Sequence, residues 1–481
     1  MTPLHRGTRI LIEQPWMPLN KLRAGFSIEK LNQDQLEMGS SLPTTNPSSI
    51  KSSVILQAYN WDSWRKDNKT FFKYLESKSD TIKTCGIDTV WLPPCTKSVS
   101  PQGYMPLDLY NLSSEYGTEI DLKNCINTYK SNDITVLGDL VINHRCAEFQ
   151  NHDGVYNVFG GKLAWNDKAI VSNDTRFGGT GNASPFKLFH AAPNIDHSQY
   201  FVRKDLLEWM QWMRDDIGFD GFRFDFMTGI DPTHVREYLQ VAGVNIGEYW
   251  DDMAYDNSYL LHNQDAHRQR IVDWIDNSGK CVYAFDTTTK GILQTALQNK
   301  EYWRLIDSNG KPPGVMGWWS ERSVTFLDNH DTHHKAQNLW PFPQEHLVEG
   351  YTYILTHPGV PIVYWDDLFI KGLNEIIVLL IQIRKAYNIR ADSTVRIVVA
   401  DEQRYTAIID DKIEVTLGKT TSANEDTLLF RCHNVTIKET IKSVDREETE
   451  SVDEETEADT EEQKIIKIDK TNPQLHHRIT S

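Results

Sequence analysis

The feature of this chain that most limits its fold is a repeated alternation of short apolar runs with amphipathic segments. Residues 135–142 are almost continuously apolar, as a strand buried in a parallel sheet requires. Residues 202–216 instead carry apolar side chains at helical spacing. Because such βα units recur along the chain, the pattern predicts a parallel sheet, and their number favours a closed barrel over an open sheet.

The pattern predicts barrel strands at seven places and a helix around residues 71–84. The strand runs are residues 54–59, 89–92, 135–142, 222–225, 244–248, 324–328 and 362–364. After about residue 391 the pattern changes to short alternating runs, at residues 396–399, 405–409 and 413–415. Asp410 and Asp411 lie between the last two runs and predict a hairpin turn.

The 481 residues divide into four predicted parts. Residues 1–50 include a polar, Pro-rich stretch and are expected to be a disordered leader. Residues 51–395 are expected to form a catalytic (β/α)8 TIM barrel, with a loop-rich subdomain inserted after the third strand at about residues 144–196. Residues 396–440 are expected to form a small antiparallel β domain. Residues 441–481 form an acidic tail, which is expected to be disordered.

Composition and charge exclude several classes of partner. The net charge is -17 and no basic patch stands out, which argues against nucleic-acid binding. No apolar run approaches ~18 residues, so no membrane span is expected. The first residues hold no apolar core of a secretion signal, so we expect a cytoplasmic location, with secretion still open. The six cysteines lack metal-binding spacing and are expected to be free thiols, in a protein expected to be a monomer.

Four acidic residues lie within, at the end of or just after predicted strands: Asp139, Asp225, Glu248 and Asp331. Barrel enzymes place their catalytic residues at the carboxyl ends of strands. Glycosidic cleavage needs two carboxyl groups, which a retaining enzyme holds ~5 to 5.5 Å apart. For any one of these residues a helix cap or a loop turn is an equal alternative, and spacing alone does not assign roles. The set of four favours an active site.

Four motifs, in this order, resemble the successive sequence regions of the α-amylase family, glycoside hydrolase family 13. They are DLVINH at residues 139–144, GFDGFRFD at 218–225, GE at 247–248 and FLDNHD at 326–331. Other stretches resemble plant-type members of the family. They are residues 102–106, 264–269, 289–293, 317–319, 340–343 and 353–359. The resemblance covers roughly residues 54–417 and implies endo-acting, retaining hydrolysis of internal α-1,4-glucosidic bonds in starch, glycogen and maltooligosaccharides.

The resemblance also implies roles for the acidic residues. Asp225 is the expected nucleophile, and Glu248 is the expected acid/base, which requires a raised pKa. Asp331 is expected to stabilise the oxocarbenium-like transition state. Arg223 lies two residues before Asp225 on the same side of a strand, where its charge would keep Asp225 ionised. Asp139 is expected to organise its neighbours rather than react.

Further residues are implied as substrate contacts. His144 and His330 are expected to hydrogen-bond the same glucose, although a buried structural histidine is the usual alternative. Tyr104 is expected to stack under that sugar. Trp318 and Trp319 match a pair that binds starch at a secondary surface site, and packing is the alternative for both.

The resemblance implies a structural Ca²⁺ between the inserted subdomain and the barrel. The positions that would hold it are Asn143, Ser184, Lys187, Asn194 and Gly229. Calcium prefers six to eight oxygens, several from carboxylates, but Ser184 and Asn194 occupy the two carboxylate positions of plant-type members. We therefore expect calcium to bind weakly or not at all, unless Asp174 or Asp196 compensates. No organic cofactor is expected.

Two other functions stay open at this point. An α-glucan transglycosylase would carry the same four acidic motifs and would differ in how water is excluded. A catalytically dead glucan-binding protein is the second alternative, and the intact Asp225, Glu248 and Asp331 argue against it.

Overall fold

The computed structural model describes residues 50–241, 243–333, 340–419 and 427–440. The predicted acidic tail and all but the last residue of the predicted leader lie outside these described residues. The expected boundaries of the four parts of the chain stay a proposal.

Eight parallel strands close into a barrel, which confirms the expected (β/α)8 TIM fold. In chain order the strands are β1 (Ile55–Gln57), β2 (Thr89–Trp91), β3 (Thr135–Leu140), β4 (Gly221–Phe224), β5 (Val244–Gly247), β6 (Tyr283–Phe285), β7 (Ser323–Thr325) and β8 (Val360–Tyr364). Each strand pairs with the next along the chain, and β8 closes the ring by pairing with β1, where Ile362 lies opposite Ile55. All eight strands therefore end at the same mouth of the barrel.

Burial explains why these short runs form strands. Every residue of β1, β2 and β4 to β8 is buried, and in β3 only Thr135 is partly exposed. Strands covered on both faces need a continuous apolar run rather than alternation. The prediction does not include β6, although β6 is as long as β1, β2 and β7.

Helices surround the barrel and follow the strands. They are α1 (Phe71–Glu76), α2 (Ser79–Thr84), α3 (Glu119–Ser131), α4 (Tyr200–Trp212), α5 (Pro232–Tyr238), α6 (Asp265–Asn277), α7 (Thr287–Asn299), α8 (Val315–Trp319), α9 (Leu347–Thr356), α10 (Trp365–Phe369) and α11 (Asn374–Ala386). The single helix predicted at residues 71–84 is two helices, α1 and α2. The helix predicted at 202–216 continues past α4 into a wider turn, Met213–Ile217, and stops at Gly218, whose φ of 103° ends helical geometry.

The segment between β3 and α4 has little regular structure, in line with the predicted insertion. It holds a small hairpin of Phe149–Gln150 with Tyr156–Val158 and two 3₁₀ turns, Asp167–Ala169 and Thr175–Phe177. Its end returns to the barrel, where Asn194 forms an isolated β-bridge with His144. The insertion therefore lies against the carboxyl end of β3.

An antiparallel sheet follows the barrel, as expected for this part of the chain. Its strands are β9 (Val395–Ala400), β10 (Arg404–Ile409), β11 (Ile413–Gly418), β12 (Leu428–Cys432) and β13 (Val435–Glu439), in the order β9-β10-β11-β13-β12. Asp410 and Asp411 turn the chain between β10 and β11 with positive φ values of 51° and 53°. The sheet contacts the barrel through a buried hydrogen bond of 2.9 Å between Tyr405 Oη and His357 Nε2.

The six cysteines are free thiols in the structure, as the sequence predicts. Within the described ranges, no helix is long and apolar enough to cross a bilayer.

Candidate active site

Arg223 on β4 is fully buried and lies at the centre of a group of carboxylates. Its Nη1 donates to Oδ1 of Asp139 at 2.9 Å and to Oδ1 of Asp225 at 2.7 Å. Its Nη2 lies 2.6 Å from Oε1 of Glu248. These three acids belong to β3 or directly follow β4 and β5, so the parallel arrangement of the strands brings them together.

The charge of Arg223 is held in place by these neighbours. Burial of a lone guanidinium would be costly, but several carboxylates in contact compensate for the lost hydration. Burial opposes ionisation, yet the carboxylates of Asp139, Glu248 and Asp225 raise the pKa of Arg223 well above its usual value. The site therefore contains a permanent positive charge between its acidic groups.

Asp139 is fully occupied by hydrogen bonds. Its Oδ2 accepts from Tyr59 Oη at 3.0 Å, from Trp91 Nε1 at 3.0 Å and from Tyr104 Oη at 2.7 Å. Its Oδ1 accepts from Arg223. Both oxygens of Asp139 accept hydrogen bonds from neighbouring side chains. Asp139 is therefore better suited to the predicted organising role than to proton transfer.

His330 and Tyr104 form a stacked pair beside this group. Their ring centres are 4.7 Å apart and their planes differ by 5°. Gln57 on β1 donates from Nε2 to Nδ1 of His330 at 3.0 Å, so the proton of the neutral ring lies on Nε2. That nitrogen is 3.5 Å from Oδ2 of Asp331. Burial, followed by the charge of Arg223, lowers the pKa of His330 well below its usual value and keeps the ring neutral.

Three carboxyl groups face the mouth of the barrel with raised pKa values. Burial raises the pKa of Asp225, Glu248 and Asp331 to about 7 each, against the opposing charge of Arg223. Mutual repulsion adds to the effect, and groups this close titrate together. Asp225 accepts a hydrogen bond from Arg223, whereas Glu248 accepts one from the backbone N–H of Phe226 at 3.1 Å.

His144 is enclosed rather than open. Its Nε2 donates to the carbonyl of Tyr104 at 2.9 Å, and its ring stacks on Phe189 with centres 3.8 Å apart. Burial lowers the pKa of His144 to about 4, so the ring is neutral. His144 supports the backbone of Tyr104, and its direct contact with a sugar stays a prediction.

Several residues that complete the site carry no direct signal in the sequence. Gln57 and Tyr59 support His330 and Asp139, and their spacing of two residues at the first strand is the one available indication. Two partly exposed aromatic side chains, Trp250 and Trp340, lie side by side with ring centres 6.1 Å apart, and Trp250 follows Glu248 by two residues. Trp250 also meets Phe326 edge-on, with ring centres 6.0 Å apart.

Trp318 and Trp319 lie away from this group. They belong to α8, which leads directly towards the start of β7 and therefore lies at the opposite end of the barrel from the mouth. Trp318 is 38% exposed with the guanidinium of Arg268 3.8 Å from its ring centre, while Trp319 packs partly against the core. A surface role for Trp318 stays a prediction.

The positions that the resemblance assigns to calcium do not form an anionic site. Neutral oxygens do converge: a Cβ on Gly229 would lie 2.0 Å from Oδ1 of Asn143 and 2.9 Å from the carbonyl oxygen of Lys187. However, Oδ1 of Asn194 accepts from the backbone N–H of Phe189 at 2.7 Å. Ser184 accepts through Oγ from the nearby N–H of Phe186.

The two acids that could compensate are already engaged. Asp174 accepts from both nitrogens of Asn194 and pairs with Arg176. Asp196 accepts from Ser198 through Oδ1, and from Asn182 and Gln199 through Oδ2. In the part of the chain that the structure describes, no three Asp, Glu, His or Cys residues form a group that could hold a metal. The donor set therefore does not fit Ca²⁺, which requires several free carboxylate oxygens.

Comparison with known proteins identifies the family. A family model described as "Alpha amylase, catalytic domain" matches residues 66–367. The chain is 49% identical over 369 residues to "Alpha-amylase 3, chloroplastic" of Arabidopsis thaliana, an alignment that covers 76% of this chain and 41% of that protein. It is 47% identical over 370 residues to "Probable alpha-amylase 2" of the same species, covering 76% and 88%. The chain thus spans about two fifths of the first relative and most of the second.

Solved structures support the fold independently. The α-amylase from H.orenii superposes with a TM-score of 0.58 at 16% identity, over 81% of this chain and 97% of that one. The α-amylase from Malbranchea cinnamomea superposes with a TM-score of 0.57 at 18% identity, over 77% and 86%. The family model and the two Arabidopsis relatives show that the chain belongs to the α-amylase family, glycoside hydrolase family 13, and that it is similar to the plant-type members.

Proposed function

We propose that this chain hydrolyses internal α-1,4-glucosidic bonds of starch, glycogen and maltooligosaccharides by a retaining double displacement. Asp225 is the nucleophile, Glu248 the acid/base and Asp331 the third acid. The observation that carries the proposal is the contact of one buried guanidinium, Arg223, with both Asp225 and Glu248. Adjacent nitrogens of one group hold the two carboxyls close, which favours the short separation of retaining enzymes over the ~6.5–9.5 Å of inverting ones.

The different environments of Asp225 and Glu248 suit them to different roles. Asp225 receives the hydrogen bond from Arg223, which stabilises its ionised form. Burial and the negative charge of Asp225 favour the protonated form of Glu248, and they outweigh the charge of Arg223 and the N–H of Phe226. Glu248 thus supplies the proton and Asp225 the attacking oxygen.

The first step forms the glycosyl-enzyme. An oxygen of Asp225 attacks the anomeric carbon while Glu248 donates its proton to the departing glycosidic oxygen, and the sugar chain on that side leaves as an alcohol. In the second step Glu248 removes a proton from water, the hydroxide attacks the same carbon, and the carboxylate of Asp225 is released. The acid/base is then protonated again, and the anomeric configuration is retained.

The remaining residues act on the bound glucose. Asp331, with His330 3.5 Å away, faces the sugar and stabilises the positive charge that develops on it. Tyr104 presents a ring already fixed by stacking on His330 and by its bond to Asp139, which suits it to support a sugar face. This preorganisation reduces the motion needed when substrate binds.

The assignment is tested by trapping the intermediate. A fluorinated maltooligosaccharyl fluoride that slows the second step should label the enzyme, and peptide mapping should locate the sugar on Asp225. Starch hydrolysis should fall by several orders of magnitude in Asp225→Asn and Glu248→Gln, with Glu402→Gln on the surface as a control. A label on another residue, or equal absence of activity in the wild type and Glu248→Gln, would reject the mechanism.

Product analysis separates hydrolysis from transfer. Incubation with maltoheptaose should give only shorter maltooligosaccharides, including products of internal cleavage. Products longer than the substrate would favour the transglycosylase alternative.

We also propose that the protein acts without calcium, is a monomer and is located in the cytoplasm. Activity does not require calcium, because Ser184 and Asn194 replace the expected carboxylates and the nearby Asp174 and Asp196 are engaged in other contacts. The protein is a monomer, which sedimentation checks. Its location is the cytoplasm, although the relative at 49% identity is named as chloroplastic; imaging a fluorescent fusion of the full chain distinguishes the two compartments.

A further inference from the structure

We propose that Arg176 is a positioning residue whose guanidinium, with Asp174 and Asn194, does the work that a bound cation would do between the inserted subdomain and the barrel. The part of this proposal that concerns turnover rests on the proposed function. The part that concerns stability does not, and it is tested separately.

Arg176 ties two separate stretches of the inserted subdomain together. Its Nε and Nη2 donate to Oδ1 of Asp174 at 3.2 and 3.1 Å, within the 3₁₀ turn region. The same side chain donates from Nη2 to the carbonyl of Phe189 at 3.0 Å and from Nη1 to the carbonyl of His190. A guanidinium offers five donors in a fixed plane, so one side chain can satisfy a carboxylate and two carbonyls at once.

Asp174 and Asn194 extend this connection to the barrel. Asp174 has a fully buried side chain, and its Oδ2 accepts from Nδ2 of Asn194 at 2.7 Å and from its backbone N at 3.1 Å. Asn194 bridges to His144, which follows β3. A buried carboxylate without a counter-charge is strongly unfavourable, so Arg176 supplies a positive charge that this arrangement needs.

The connection reaches the catalytic group through Phe189. Besides holding its carbonyl through Arg176, the network fixes Phe189 through its backbone N–H, which donates to Asn194. The ring of Phe189 then stacks on His144 at 3.8 Å and meets Phe226 edge-on at 5.8 Å. Phe226 follows the nucleophile in sequence and donates its N–H to Glu248 at 3.1 Å. Movement of Phe189 would therefore alter the support of the acid/base.

The stability test compares chelator with added calcium. The melting temperature of the wild-type chain should be the same in excess EDTA and in excess CaCl₂, because the guanidinium already fills the role of the cation. A fall of several degrees in EDTA that calcium reverses would overturn the proposal. This measurement needs no substrate, so it remains informative even if the proposed activity fails.

The positioning test compares Arg176→Met with Arg176→Lys. Arg176→Met removes the charge and all four contacts, and kcat/KM per folded molecule should fall roughly 10- to 100-fold, since small displacements near reacting groups are costly. Arg176→Lys keeps the charge but not the planar donors, and it should recover part of the loss. The control is Arg396→Met, which removes an exposed ion pair with Asp411 on the C-terminal sheet and should leave turnover unchanged.

A purely structural role predicts a different outcome. In that case Arg176→Met would lower the melting temperature while kcat and KM of the folded fraction stayed at wild-type values, and the positioning claim would fail. If Arg176→Met does not fold, the same kinetic comparison is made with Arg176→Lys, where unchanged kcat and KM would equally overturn the claim.

Discussion

The burial that suits Glu248 to proton transfer also costs folding free energy. Its pKa rises from 4.5 to about 7 in the folded chain, first because of burial and against the charge of Arg223. A group whose pKa is raised by folding adds stability below its unfolded pKa, and this contribution is lost as the pH rises through the folded value. At alkaline pH, ionisation of the buried Glu248 carboxyl group therefore lowers the stability of the fold.

Glu248→Gln should consequently stabilise the protein as it abolishes catalysis. At pH 8 the variant should unfold at a higher temperature than the wild type, with a gain of at most about 3 kcal/mol, and the difference should disappear near pH 4. Thermal unfolding across this pH range measures the effect. Glu402→Gln serves as the surface control, and a Glu248→Gln variant that is no more stable at pH 8 contradicts the assigned environment.

Gln57 is the residue that fixes the tautomer of His330. In Gln57→Leu the amide donor to Nδ1 is lost, and Tyr59 Oη, 3.5 Å away, can accept instead, so the ring can place its proton on Nδ1 and present an unprotonated Nε2 to Asp331. We expect kcat/KM on maltoheptaose to fall about 10-fold with little loss of stability, because leucine has a similar volume. Thr89→Val, in the buried wall of β2, is the matched control, and equal kinetics in both variants would contradict this role.

At the scale of the elements, the sequence predicts buried strands well where the apolar run is long or ends in a recognisable motif. Residues 135–142 satisfy both conditions, and β3 lies there. β6 is outside the predicted runs, and its place in the barrel is defined by its pairing with β5 and β7. The break between α1 and α2 is also absent from the periodic pattern, because Leu75 and Ile82 lie seven residues apart and so keep a helical spacing across it.

The residues of the candidate site can likewise be predicted only in part from the sequence. Asp225 and Glu248 are predictable because an acid at the end of an apolar strand is unusual and belongs to a motif. The supporting contacts of Gln57 with His330, or of Phe189 with His144, join residues far apart in the chain. Such contacts depend on how loops pack in three dimensions, and no local spacing encodes them.

Gly247 allows β5 to pack closely against α6. A Cβ at this position would lie 2.0 Å from the ring of Trp274, well inside van der Waals contact. Gly247→Ala should therefore destabilise the fold by about 2–3 kcal/mol, measured by urea unfolding, and should lower activity because Glu248 is the next residue. The double variant Gly247→Ala/Trp274→Phe should recover part of the loss; simply additive costs would show that this contact is not responsible.

At the scale of the whole molecule, the C-terminal sheet and the barrel share a buried polar contact. His357 is fully buried, with Nε2 bonded to Tyr405 Oη at 2.9 Å and Nδ1 to Thr356 Oγ1 at 3.1 Å. Arg384 adds hydrogen bonds to the carbonyls of Leu355 and His357 in the same region. Polar groups buried between two layers are satisfied only when both layers are folded.

Tyr405→Phe should therefore weaken the sheet and the barrel together. The loss of one buried partner should cost about 1–3 kcal/mol, and unfolding should remain a single transition by both circular dichroism and tryptophan fluorescence. Tyr156→Phe, at an exposed position, should change neither signal. Two separate transitions in the variant would show that the sheet and the barrel are independent.

The shared guanidinium of Arg223 limits how this enzyme could evolve. Any replacement of that side chain removes contacts with Asp139, Asp225 and Glu248 together. Lysine would keep the positive charge, but its single ammonium group lacks the planar set of donors with which the guanidinium contacts all three acids. Variation that changes the preferred glucan is therefore expected in the loop that carries Trp340, which makes no contact with Arg223 among those described. In directed evolution of the chain, we expect substitutions that alter the preferred glucan to occur at the rim of the barrel.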